Sequence, residues 1–154
     1  MRVYKPEQSF EFQKVLIPEG TYKSDIIKIS DEVGTEDFNG EPRESIIITH
    51  KVYDKKKNAH EISQFVNAIV SKGTGDYKNS ALYDILELAG RVEEFYKEFN
   101  GHNKSDDLDK FVLDYFRGFL LDRPCEVQVK TIKKNTPDKY SVVHKITKLL
   151  AETG

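Results

Sequence analysis

Between residues 20 and 70 apolar and polar positions alternate with a period of two, and after residue 79 they repeat at helical spacing. "GTYKSDIIKIS" (20–30) is a strand opened by Gly20, with a bulge-like break in its alternation. "DEVGTEDFNGEP" (31–42), rich in Gly, Asp and Glu, reads as a long connecting loop. In "ESIIITHKVYD" (44–54), Ile46, Ile48 and Val52 point inward, and Ile47, Thr49, Lys51 and Tyr53 line the opposite face. "KKKNAH" supplies a turn. "EISQFVNAIV" (61–70) is a third strand, with Ile62, Val66, Ala68 and Val70 on one side and Ser63, Phe65 and Asn67 on the other.

Helices follow. Asn79 or Ser80 caps one in which Leu82, Ile85, Leu86 and Ala89 share a face, and Gly90 ends it. "RVEEFYKEF" (91–99) is a short second helix. Ser105 caps a third, with Asp106 and Asp107 at the positive end of its dipole. Its stripe of Leu108, Phe111, Val112, Tyr115, Phe116 and Phe119 reads as core. Pro124 opens a closing hairpin: Val127 and Val129 alternate, "KNTPD" turns, and Tyr140, Val142 and Ile146 alternate back. The pattern predicts strands near 20–30, 44–54, 61–70, 125–133 and 139–148, with residues 79–122 helical. The fold class is mainly β with a helical insertion (α+β). One closed barrel would bury every apolar strand face and remove the sheet edges. Tyr22, Ile26, Ile48, Val127, Val129 and Val142 are the expected core.

The chain has 154 residues, 38 % of them hydrophobic and 32 % charged, which suits one globular domain. No apolar run reaches a membrane-spanning length, and "MRVYKPEQSFEF" lacks the apolar stretch of a secretory signal. The single cysteine, Cys125, excludes an internal disulfide framework and suits a reducing, cytoplasmic setting. In "PCEVQV" it reads as a small core residue. Net charge is −2, but residues 51–78 and 125–154 each carry six lysines against three carboxylates. Neighbouring in space, these segments would give the fold a positive face.

"GTGDYKNS" (73–80) has Asp76 where a phosphate loop needs lysine and Lys78 where a dinucleotide fingerprint needs glycine. Gly73 and Gly75 are therefore a corner between strand and helix. The four histidines lack metal-ligand spacing, and adjacent carboxylates such as Glu93 and Glu94 point apart on a helix. No nucleophile motif appears. Nothing points to an enzyme, a metal or a cofactor.

Binding chemistry remains. Thr49, Lys51 and Tyr53 beside Ser63, Phe65 and Asn67 form a mixed aromatic, polar and basic strand surface flanked by Lys55, Lys56 and Lys57. Aromatic rings on a sheet stack bases while lysines follow phosphates, as in sequence-tolerant single-strand binding. Lys133, Lys134 and Lys139 on the last turn are further candidate phosphate contacts.

Three strands, a helical insertion and a closing hairpin is the order of an OB-fold. "IPEGTYKSDIIKI", "ISQFVNAIV", "KNSALYDILELAG" and "GFLLDRPCEVQVKTIKKNTPDKYSVVHKI" resemble small phage- and plasmid-type OB-fold proteins described as single-stranded-DNA-binding-like. The likeness spans residues 17–148. It implies a five-stranded OB-fold barrel with two or three helices between strands three and four, and no cofactor. It also implies binding of single-stranded DNA, or RNA, in replication or recombination of a mobile element in a prokaryotic host. A second reading, from another class, is a protein-interaction module. There the acidic loop 31–44 and the helical insertion would recruit or inhibit a replication or defence protein; a homo-oligomer is a separate possibility.

Overall fold

The computed structural model describes the backbone of residues 15–38, 41–102 and 107–150, and their side chains except at 35–43. Along them run β1 (Gly20–Ile29), β2 (Gly34–Phe38), β3 (Glu41–Tyr53) and β4 (Ala59–Asn67). Then come α1 (Ala81–Ala89), α2 (Val92–Gly101), α3 (Leu108–Leu120), β5 (Pro124–Ile132) and β6 (Tyr140–Leu149). The architecture is α+β, an antiparallel sheet with three helices between β4 and β5.

Every ladder is antiparallel. β1 pairs with β3 on one edge and β5 on the other, β4 takes the far edge of β3, and β6 takes the far edge of β5. The expected break in β1 is a bulge at Ile27, skipped between Ile26↔His50 and Lys28↔Thr49. Alternation then sets the faces. Ile26, Ile48, Val52, Ile62, Val66, Val127 and Val129 are buried together with Tyr22. Leu82, Ile85 and Leu86 of α1, Phe95 of α2 and Phe116 and Leu120 of α3 complete the same core. Ile26 ties the helical layer to the sheet: its N–H donates to Arg123 O at 3.1 Å and its carbonyl accepts from Asp122 N–H at 2.7 Å.

Several expectations need correction. The stretch 31–42 is not a plain loop. Gly34–Phe38 forms a short sixth strand against Glu41–Ser45, using the length of β3's edge that β1 leaves open beyond Ile48. The sheet is not closed into a barrel. β4 and β6 lie side by side, but no ladder joins them among the described residues. One N–H of β6 is already used, since Ser141 N–H donates to Val15 O at 2.7 Å. The Ser141 hydroxyl also accepts from Ile17 N–H and donates to Ile17 O, so residues 15–17 lie along β6 as an arm.

Val142 is only half-buried, while Ser141 and Val143 face the core. β6 has extra residues at His144 and Thr147, opposite no partner in β5, and each reverses the inward set. β4 ends at Asn67, so Ala68 and Val70 lie beyond it, and the inward place between Ile62 and Val66 belongs to Gln64. Leu108 is exposed at the start of α3, and Leu113 is buried instead. The cap of α3 is Asp107, whose carboxylate accepts from Asp109 N–H and Lys110 N–H. The expected cap, Ser105, and Asp106 lie outside the described residues.

The corner at 71–80 is as expected. A Cβ on Gly73 would stand 2.1 Å from Tyr77 O, and Gly75 has φ +60°. Gly73 N–H donates to Asn79 Oδ1, Ser71 N–H donates to Ser80 Oγ, and Ser80 caps α1 through Tyr83 N–H. Gly90, left-handed at φ 66°, closes that helix.

Candidate nucleic-acid interface

The register of β3 and β4 assembles the outer face in rows. Tyr53 stands opposite Ala59, Lys51 opposite Glu61, Thr49 opposite Ser63, Ile47 opposite Phe65, and Ser45 opposite Asn67. The predicted strand residues therefore share one face. Tyr53 and Phe65 sit at its two ends, six positions or about 20 Å apart along the strands. Phe65 is 42 % exposed.

Charge on this face is mixed. β1 places Asp25 beside Lys51 on one side, and β4 places Glu61 on the other, so the lysine is framed by two carboxylates. Tyr53 is tethered as well. Its hydroxyl donates to Asp25 Oδ2 at 2.9 Å, and Lys51 Nζ lies 5.9 Å from its ring centroid. The hydrogen bond to Asp25 holds the Tyr53 phenol above its usual pKa, with burial adding to it. Thr49 and Ser63 are half-buried, and Asn67 is exposed at the far end.

The basic turns fall together. Tyr53 pairs with Lys23 near the start of β1, and Val129 pairs with Gly20. The turn after β3 and the turn after β5 thus project from the same end of the sheet. Lys55, Lys56, Lys57, Lys133, Lys134 and Lys139 are all exposed there. Asp54 builds the first turn: Oδ1 accepts from Lys56 N–H and Asn58 N–H, both at 2.9 Å, and Oδ2 contacts His60 Nε2 at 2.8 Å. The His60 contact, followed by these backbone donors, keeps the Asp54 carboxyl below its usual range.

Each turn holds a lysine in the left-handed region, Lys57 at φ 66° and Lys133 at φ 54°. Glycine or asparagine occupies such positions at less cost. Lys134 is ion-paired with Glu19 at 2.9 Å.

Sequence reasoning missed a neighbouring basic group. His144, one of the two unpaired residues of β6, feels the charges of Lys130, Lys145 and Lys78; burial first, then these charges, lower its pKa. Only the register of the last hairpin and the approach of the 71–80 corner bring these positions together. The acidic stretch is partly consumed, since Asp31 Oδ1 accepts from Arg117 of α3 at 2.7 Å.

Among the described residues there is no group of side chains arranged to hold a metal ion, and no helix is long and apolar enough to cross a membrane. The thiol, hydroxyl and imidazole that do converge (Cys125, Ser24 and His50) are sealed in the core, beyond the reach of a substrate. No protein-family model matches the chain, and neither a curated protein nor a solved structure matches it.

Proposed function

We propose that the protein binds single-stranded nucleic acid, with DNA as the favoured strand, and that it does so without catalysis. The observation that carries this reading is the meeting of two lysine-rich hairpin turns at one end of the sheet. A polyanion gains affinity there by counterion release. The left-handed lysines in both turns are in keeping with it, since each keeps a charge where glycine would cost less. Bases leaving that end run onto the β3–β4 face, which carries the rings of Phe65 and Tyr53.

The finer fold assignment belongs to the same reading. β4-β3-β1-β5-β6, with the two outer strands side by side, is the strand order of an OB-fold, opened at its last seam. The setting would be replication or recombination in the cytoplasm of a prokaryotic host, on a phage or other mobile element.

The test is fluorescence anisotropy of the whole chain with labelled oligo-dT and with a random duplex, at about 20 mM and about 200 mM salt. Single strands should bind more tightly than duplex, because stacked bases in a duplex offer no free faces to the rings. Affinity should fall with salt, with a log–log slope near −0.7 per phosphate contact. No single-strand binding at the lower salt would sink the reading and leave the protein-interaction module in its place.

A further inference from the structure

We propose that the donors gathered around Glu19 form a phosphate subsite on the single-strand path, with Glu19 as the resident anion that a backbone phosphate displaces. The inference rests on the single-strand reading above and adds a site to it. Both carboxylate oxygens of Glu19 are engaged from the β5–β6 hairpin. Oε2 accepts from Thr131 N–H at 2.8 Å and Oε1 from Lys134 Nζ at 2.9 Å. This is a two-oxygen grip that two phosphate oxygens could equally satisfy. Lys134, Lys130 and the Thr131 N–H therefore act on the Glu19 carboxylate, with Lys139 on the wall of the same groove.

The position of Glu19 is built rather than incidental. The arm that carries it is fastened by Ile17 to the buried Ser141 hydroxyl and by Pro18 O, which accepts from Tyr22 OH at 2.5 Å. Glu19 itself remains exposed, so its side chain can swing into water while the donors stay in place. A groove of about 460 Å³ runs alongside, lined by apolar Leu16 and Pro18 as well as by Lys134 and Lys139. A base can rest on those apolar side chains while its phosphate takes the place of the carboxylate. Such a self-occupied site sets a threshold: weakly charged ligands are refused, and a polyanion that also engages the neighbouring lysines is admitted.

The experiment compares wild type, Glu19→Gln and Lys134→Gln, each as the whole chain, by oligo-dT anisotropy at about 50 mM salt. Removing the competing charge should tighten binding about three- to ten-fold in Glu19→Gln, and Lys134→Gln should weaken it. Unchanged or weaker binding by Glu19→Gln overturns the subsite even where wild type binds the strand well. A second readout does not depend on the strand: the Thr131 amide resonance of Glu19→Gln during titration with inorganic pyrophosphate. A saturable shift supports the anion site. An unmoved Thr131 overturns it. Pyrophosphate binding at Thr131 with no oligo-dT binding by any variant keeps the anion site and removes the single-strand reading.

Discussion

His50 Nε2 lies 2.8 Å from Gln64 Oε1, and both side chains are sealed from solvent. An amide oxygen can only accept, so Nε2 carries the proton and Nδ1 is left as an acceptor. At 3.2 Å from Nδ1 stands Ser24 Oγ, which in turn lies 3.0 Å from Cys125 Sγ. The imidazole therefore donates to Gln64 and accepts at Nδ1, where the Ser24 hydroxyl and, beyond it, the Cys125 thiol complete the row. One residue from each of β5, β1, β3 and β4 takes part, so a single chain of polar contacts crosses four strands inside the apolar core.

Burial lowers the pKa of His50 to about 4, with the Gln64 hydrogen bond opposing the shift. The folded protein therefore binds the imidazole proton less readily than the unfolded chain. This contribution to stability is complete above about pH 6.5 and is lost as the pH falls from there through about 4. Between pH 7 and pH 4.5 it should amount to roughly 2–3 kcal/mol. Urea denaturation at both pH values should show this loss in wild type and a smaller one in His50→Gln. Equal losses would mean that the imidazole is already charged in the fold.

The Cys125 thiol should be inert. Burial pushes its pKa up to about 11, against the smaller opposing effect of the Ser24 hydrogen bond. At pH 8 a thiol reagent should leave the native protein unlabelled over minutes and label it fully in denaturant. Rapid labelling of the native protein would contradict the buried network.

Ile48 lies inward between Ile29 and Gln64 and is fully buried. Truncation to Ala should cost roughly 2–5 kcal/mol by chemical denaturation. A cost below about 0.5 kcal/mol would mean that β3 is displaced by one residue, which would turn every outer-face candidate inward.

Lys57 offers a test in which stability and binding move in opposite directions. Lys57→Gly relieves the left-handed conformation at φ 66° and should stabilise the fold by roughly 0.5–1 kcal/mol. It should also weaken oligo-dT binding at low salt through the lost phosphate contact. Gained stability with unchanged affinity would reduce this lysine to a solubilising role.

Charge and stacking should also separate. Replacing Lys55, Lys56 and Lys57 together by Ala should flatten the salt dependence of binding. Phe65→Ala should weaken binding by roughly 1–3 kcal/mol with the slope nearly unchanged. Tyr53→Phe removes only the hydroxyl held by Asp25. It should change affinity little if the tethered ring already stands in its binding position.

Local chemistry was legible in the sequence where one short segment contains the whole cause. The Gly73 corner, the Ser80 cap, the bulge in β1 and the inward set of Ile46, Ile48 and Val52 are all of this kind. What stayed hidden depends on partners distant in the chain. β2 is acidic and glycine-containing, and becomes a strand only because β3 has a free stretch of edge. Val142 gives up its inward place because of the unpaired His144 in β6. Alternation places Thr49, Lys51 and Tyr53 on one face with Ser63, Phe65 and Asn67, but the carboxylates around Lys51 arrive through cross-strand register, which alternation does not set. Glu19, next to Gly20 in the chain, gave no signal because its donors lie more than a hundred positions away.

The clasp between Ile17 and Ser141 joins positions 124 apart in the chain, and this bears on how the molecule is made. During synthesis β1, β2, β3 and β4 can pair as they leave the ribosome. The second edge of β1 then waits while the three helices and β5 are translated, on the order of several seconds. Over that interval Tyr22 and Ile26 lack the neighbours that β5 will bring, and an open strand edge invites pairing with another nascent chain. Lys23 and Lys28, both exposed on β1, put charge beside that edge during the wait. The last hairpin ends it, covering β1 with β5 and seating the arm on β6.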